Sequence, residues 1–112
     1  MSYKVVIASE FAKEAKRIAK KHIGIKNDIA KLIAELSVNP TMGTELGNDF
    51  YKIRMAISGS NKGKSGGARV ITYVIIDEET VLLAEIYLKS EHDTADTSII
   101  MQRLKNQGAI WL

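Results

Sequence analysis

Five cations, Lys52, Arg54, Lys62, Lys64 and Arg69, fall within a segment that carries no carboxylate between Asp49 and Asp77. The rest of the chain is mixed in charge, so a segment of one sign calls for an anionic partner. Phosphate suits these side chains. Arginine can grip it through two parallel hydrogen bonds, and crowded cations lower one another's proton affinity, which lets a lysine act as a base near neutral pH. The segment reads as strand, glycine-rich loop, strand, and it points to binding and cutting of RNA. A solvated outer sheet face, where Lys and Arg are common, accounts for the same pattern without chemistry.

The loop Gly59-Ser60-Asn61-Lys62-Gly63-Lys64-Ser65 invites comparison with a nucleotide-binding P-loop and fails it twice. The first glycine that the motif requires falls on Ser58, and the segment opens into a strand where a P-loop opens into a helix. Its small residues still let backbone amides approach phosphates, with Lys62 and Lys64 adding charge. His92, beside Glu91 and Asp93, is a candidate general acid if its strand end lies beside Arg54. No second histidine is near enough to suggest a metal, and the two carboxylates read as solvated. Tyr87 and Lys89 share a strand face, and Tyr87 can stack on a base or pack. His22 fits a structural role and Trp111 a packing anchor. No metal site or cofactor is expected.

The elements that must position these groups follow from periodicity. Tyr3 to Ala8 is a short strand candidate with β-branched Val5, Val6 and Ile7. Ser9 can cap a helix on which Phe11, Ala12, Ala15, Ile18, Ala19 and His22 recur at helical spacing. Lys13, Lys16, Arg17, Lys20 and Lys21 lie mostly on its other side, and it ends near Gly24. A second helix, capped by Asn27 or Asp28, carries Ile25, Ile29, Leu32, Ile33 and Leu36 and stops at Asn39-Pro40. Residues 39–49 read as a loop. Phe50 to Ile57 alternates, which places Lys52 and Arg54 on one face of a sheet and Ile53 and Met55 on the other. Ala68 to Ile76 and Val81 to Leu88 are nearly all apolar, as interior strands are, and Asp77-Glu78-Glu79-Thr80 joins them as a tight turn. A last helix is expected from about Thr94 to Gln107, ended by Gly108. The order β-α-α-β-β-β-α predicts an α+β fold: a small antiparallel sheet with the helical hairpin on one face, and an uncovered face where Lys52 and Arg54 meet a ligand.

Length and composition agree. At 112 residues, 46% hydrophobic and 26% charged, the chain is expected to be one domain spanning 1–112 with a single core. It has no cysteine, which excludes disulfides and thiolate metal sites and fits a reducing cytoplasm. No apolar run reaches the roughly 20 residues of a membrane helix, and no signal peptide is evident. Charge is segregated: residues 1–31 hold eight cations against three carboxylates, and residues 77–96 hold seven carboxylates against one cation, Lys89. A basic face and an acidic region follow if the fold keeps them apart.

The stretches Lys52-Ile53-Arg54, Gly63-Lys64-Ser65-Gly66-Gly67-Ala68-Arg69-Val70-Ile71 and Ile86-Tyr87-Leu88-Lys89-Ser90-Glu91 together resemble the RelE/HigB branch of bacterial type II toxins. The resemblance spans roughly residues 46–92. It implies a ribosome-associated endoribonuclease of the toxin–antitoxin kind, an mRNA interferase that cuts translated mRNA and is held inactive by a cognate antitoxin. It also implies a metal-free mechanism in which the RNA's own 2′-hydroxyl attacks the adjacent phosphate. On this pattern Lys52, Arg54, Arg69 and Lys89 take the cation positions. Arg69 neutralises the developing phosphorane, and Lys52 or Lys89 is the base. Many relatives carry a catalytic tyrosine further on. No tyrosine follows Tyr87 here, so His92 or a lysine would have to fill that role. The related ParE group, thought to poison DNA gyrase without cutting RNA, and a non-catalytic RNA- or ribosome-binding module are the alternatives.

Overall fold

The structure, a computed structural model, describes residues 2–60, 63 and 66–107. It contains strand β1 (Lys4–Ile7), helices α1 (Ser9–Ala19) and α2 (Ile25–Val38), and strands β2 (Thr44–Gly47), β3 (Phe50–Met55), β4 (Ala68–Ile75) and β5 (Thr80–Leu88). Helix α3 (Thr97–Asn106) follows. The fold is α+β, as expected. The five strands lie in the order β1-β5-β4-β3-β2. Strands β2 to β5 form an antiparallel meander, while β1 pairs with β5 in parallel, Val5 opposite Val81 and Val6 opposite Leu82. The sheet is therefore mixed rather than wholly antiparallel.

Strands β4 and β5 are central, which explains their unbroken apolar runs. Val70, Val81, Leu83 and Ile86 face the helical hairpin, and Ile71, Leu82 and Ala84 face the other way. On the hairpin side, Phe11 and Ile18 of α1 and Ile25, Ile29, Leu32 and Leu36 of α2 bury against Ile53, Met55, Val70 and Ile86. The basic residues of α1 are left outward, as its amphipathic pattern requires.

Further expectations need correction. The loop at 39–49 contains β2, an edge strand exposed along its whole length, so no hydrophobic alternation announces it. Gly47 has a positive φ, and Asn48 and Asp49 share that left-handed region, which turns the chain tightly from β2 into β3. Second, α3 packs on the sheet face predicted to be open. Ile100 and Leu104 lie with Phe50, Ile71, Leu82 and Ala84, so helices cover both sides of the sheet. Arg103 ties α3 down through Glu85 at 3.4 Å and Glu10 at 3.8 Å. This helix begins at Thr97 rather than Thr94, because the Asp96 carboxylate accepts the Ser98 and Ile99 amides at 3.0 and 3.2 Å. Gly108, expected to end it, lies outside the described residues.

Third, Asp28 does not cap α2, which starts one turn earlier at Ile25. Its buried carboxylate accepts the Ser58 amide at 2.8 Å and also the Ser58 hydroxyl. Gly24 fits beneath the same residue, where a β-carbon would come within 2.8 Å of the Ser58 carbonyl oxygen. The glycine-rich loop therefore leaves β3 clamped to the start of α2. Asp28→Ala is expected to cost about 2 kcal/mol, since it removes a charged acceptor and strands the Ser58 amide. Urea unfolding checks this, and an unchanged midpoint would show that the clamp contributes nothing.

Candidate phosphate-binding site

Strand register builds the site. Arg54 stands directly opposite Arg69, and Arg69 opposite Tyr87. One row further along, Lys52 stands opposite Ile71 and Ile71 opposite Glu85. Directly opposed side chains share a sheet face with β-carbons roughly 5 Å apart, so Arg54 and Arg69 form a like-charged cross-strand pair. Such a pair costs stability unless an anion sits between or beside it. Helix α3 covers the other end of this face, around Phe50 and Leu82, and leaves the cation end to a different segment.

That segment is residues 89–96, which link the end of β5 to α3. Its Asp93 carboxylate accepts from Arg69 Nε at 3.0 Å and lies 3.6 Å from Lys52 Nζ. The Asp93 backbone carbonyl accepts from Lys52 Nζ at 2.9 Å. Arg69 is only 2% exposed and also donates to the Ala68 carbonyl at 3.3 Å. The carboxylates beside His92 are solvated, as expected, but Asp93 is also paired: it is the anion of the cation cluster. Desolvation pushes its carboxyl pKa up, but Lys52, Arg69 and Lys89 together pull harder and hold it below the usual carboxylate value. Glu91 is also engaged, by Arg17 of α1 at 2.8 Å.

Lys52 and Arg69 therefore meet at one carboxylate, and the charge of Lys89 acts on it as well. Lys89 follows β5 and extends its pairing, its amide donating to the Gly67 carbonyl at 3.0 Å. Arg54 is exposed and makes no hydrogen bond or ion pair among the described residues. Lys62, Lys64 and Trp111 lie outside the described residues.

Tyr87 departs from the open stacking platform that one reading of the sequence allows. Its ring is 2% exposed, packed in the core beneath α3's side of the sheet, with the His92 ring stacked on it at 4.0 Å and 21°. Its hydroxyl is buried without a hydrogen-bond partner. Burial, then Asp93 and Glu85, raise its pKa against the opposing pull of Arg69, so the phenol stays protonated at neutral pH and is a donor rather than a base. His92 is exposed, and its Nδ1 lies 3.0 Å from the Thr94 carbonyl oxygen. A carbonyl only accepts, so Nδ1 carries the proton and Nε2 is the nitrogen left to exchange one. His22 is half-buried at the end of α1, lining a cleft of about 230 Å³ with Arg17, Leu88 and Glu91.

The site that emerges has cations from two strands and from the residue after a third, a histidine with one free ring nitrogen, and a buried phenol. Asp93, Glu91 and Arg17 were missed as parts of it. The sequence offered only a weak signal for Asp93, its place next to His92.

No family model matches the sequence, and no curated protein sequence matches it. Solved structures do match. The free state of a mutant of the E. coli toxin RelE has a TM-score of 0.59 at 18% identity, covering 91% of this chain and 93% of that one. The isolated E. coli RelE toxin has a TM-score of 0.58 at 17% identity, covering 91% and 98%. The chain has the RelE fold over nearly its whole length.

Proposed function

We propose that this chain is the toxin of a type II toxin–antitoxin pair: a ribosome-associated, cytoplasmic endoribonuclease of the RelE/HigB kind that cleaves translated mRNA. The observation that carries the reading is the meeting of Lys52 and Arg69 on one seated anion, with Arg54 opposite Arg69 in the sheet and His92 stacked on Tyr87, the residue opposite Arg69 on its other side. Opposed arginines with a lysine one row along the same face suit an anion with several oxygens, such as a phosphodiester, and a surface that only bound another protein would have no need of them.

In this reading the RNA's 2′-hydroxyl attacks the adjacent phosphorus. Lys52 or Lys89 takes the hydroxyl proton, and Arg54 and Arg69 hold the phosphorane oxygens as negative charge develops. His92, in its doubly protonated form, gives its Nε2 proton to the departing 5′-oxygen, leaving a 2′,3′-cyclic phosphate and a 5′-hydroxyl. The cations take the charge that a metal would otherwise take. Lys62 and Lys64 add charge that can hold the RNA backbone. Tyr87 supports His92 by stacking beneath it, rather than holding a base. A cognate antitoxin would hold the toxin inactive by covering this face.

Induction in cells with mapping of mRNA 5′ ends tests the reading. Growth arrest with new ends inside translated frames is the expected result. Arrest without new ends would favour a gyrase poison of the ParE kind, and neither effect would favour a binding module without chemistry.

A further inference from the structure

The seated anion is the chain's own. Each carboxylate of the segment 89–96 has a separate partner: Glu91 faces Arg17 of α1, Asp96 caps α3, and Asp93 alone faces the cation cluster. Asp93 occupies the Nε edge of Arg69. Because Arg69 is almost wholly buried, an incoming phosphate reaches that edge only where the Asp93 carboxylate now lies. The exchange is balanced in charge, one monoanion for another. It is also accessible, since the Asp93 side chain is 44% exposed on its outer side.

We propose that Asp93 is a built-in competitor for the substrate phosphodiester, so that the strap 89–96 closes the site in the free protein and must release Asp93 before RNA binds. This rests on the ribonuclease reading above and specifies how its site is regulated. The strap is built for release. It has no regular secondary structure between Leu88 and Thr97, and its outer tether, Arg17 to Glu91, is an exposed ion pair, a weak kind of contact in water. His92 rides on the same strap, stacked on Tyr87, so release of Asp93 and positioning of the proton donor are coupled. The apparent affinity for RNA is the intrinsic one reduced by the fraction of molecules with the strap open.

The test uses a 2′-O-methyl hexaribonucleotide, which cannot be cut by 2′-attack, with binding read by fluorescence anisotropy at low ionic strength. Asp93→Asn keeps the shape and removes the charge, and it should bind at least about tenfold more tightly than the wild type. Glu78→Gln, an equal charge change on the exposed turn between β4 and β5, should shift binding by no more than about twofold. Equal shifts in the two variants would overturn the competitor. In case Asp93→Asn does not fold, the Asp93 carboxyl carbon resonance of the wild type is followed as the oligonucleotide is added. It should move towards that of a free carboxylate, and a resonance unmoved at saturation overturns the proposal. Lys52→Ala in the Asp93→Asn background separates the two ideas. Loss of the tightened binding places the phosphate in the cluster, whereas unchanged tight binding, or no binding by any form, would sink the ribonuclease reading itself.

Discussion

Arg54→Ala is expected to slow RNA cleavage by about 10²–10³-fold, the loss typical of one well-placed donor to a developing oxyanion. The unfolding midpoint should stay where it is. Arg54 is exposed and holds nothing in place among the described residues, so its removal leaves no cavity and strands no partner. Relieving the like-charged contact with Arg69 should, if anything, stabilise the fold slightly. The contrast with Arg69 is instructive. Arg69→Ala would empty a buried position and free both Asp93 and Lys52 to rearrange, so lost activity there would mix chemistry with folding. Arg54 is therefore the cleaner probe. Single-turnover cleavage of ribosome-bound mRNA, set beside thermal unfolding of the same preparation, makes the measurement. Wild-type cleavage by Arg54→Ala would remove this residue from the site.

Gly67→Ala should be strongly destabilising, costing about 3 kcal/mol by overpacking. A β-carbon at Gly67 would run into the Met55 carbonyl oxygen and sit 3.2 Å from Ala56 Cα, and both obstacles are backbone that cannot swing aside. The residue lies at the mouth of the glycine-rich loop, two positions before Arg69, and its carbonyl accepts the Lys89 amide. One methyl thus disturbs both the strand that carries Arg69 and the backbone that holds Lys89. Denaturant unfolding should show the lost stability, and cleavage measured well below the new midpoint should still be reduced. Gly59→Ala is the useful comparison. Gly59 has open space around it, and its strain comes only from a positive φ of 87°. A wild-type midpoint for Gly67→Ala would mean that β3 and β4 separate more easily at this end than their register implies.

Much of the site could be read from residue order because it rests on strand alternation. Lys52 and Arg54 had to share a face, and an alternating strand with apolar residues at Ile53 and Met55 left little choice about which face was buried. The hairpins also followed from local chemistry. An acidic turn between two apolar runs can only bring those runs side by side, and this aligned Arg69 with Tyr87. The helices were legible from their stripes, although not always their first residues. Asp28 looked like a cap and is instead a clamp on Ser58, because a carboxylate at that point of α2 can reach either its own backbone or a loop 30 residues away.

Contacts between distant segments were not legible. β2 is too short and too exposed to carry a pattern. The parallel pairing of β1 with β5 joins the ends of the chain's sheet, and nothing in Val5-Val6-Ile7 specifies a partner or a direction. Nor does the spacing of Ile100 and Leu104 say which side of the sheet α3 will cover.

The sequence by itself determined the α+β class, the basic strand–loop–strand segment and the pairing of its cations on one sheet face, because those depend on periods of two and 3.6 and on charge, all local properties. Only the tertiary structure decided that the cation face is already occupied. Asp93 lies 24 residues beyond Arg69 and 41 beyond Lys52, and it reaches them because α3 docks on the far end of the same face and draws the strap across. An ion pair between segments so far apart leaves no periodic trace, since it depends on where two elements pack and not on what either one is.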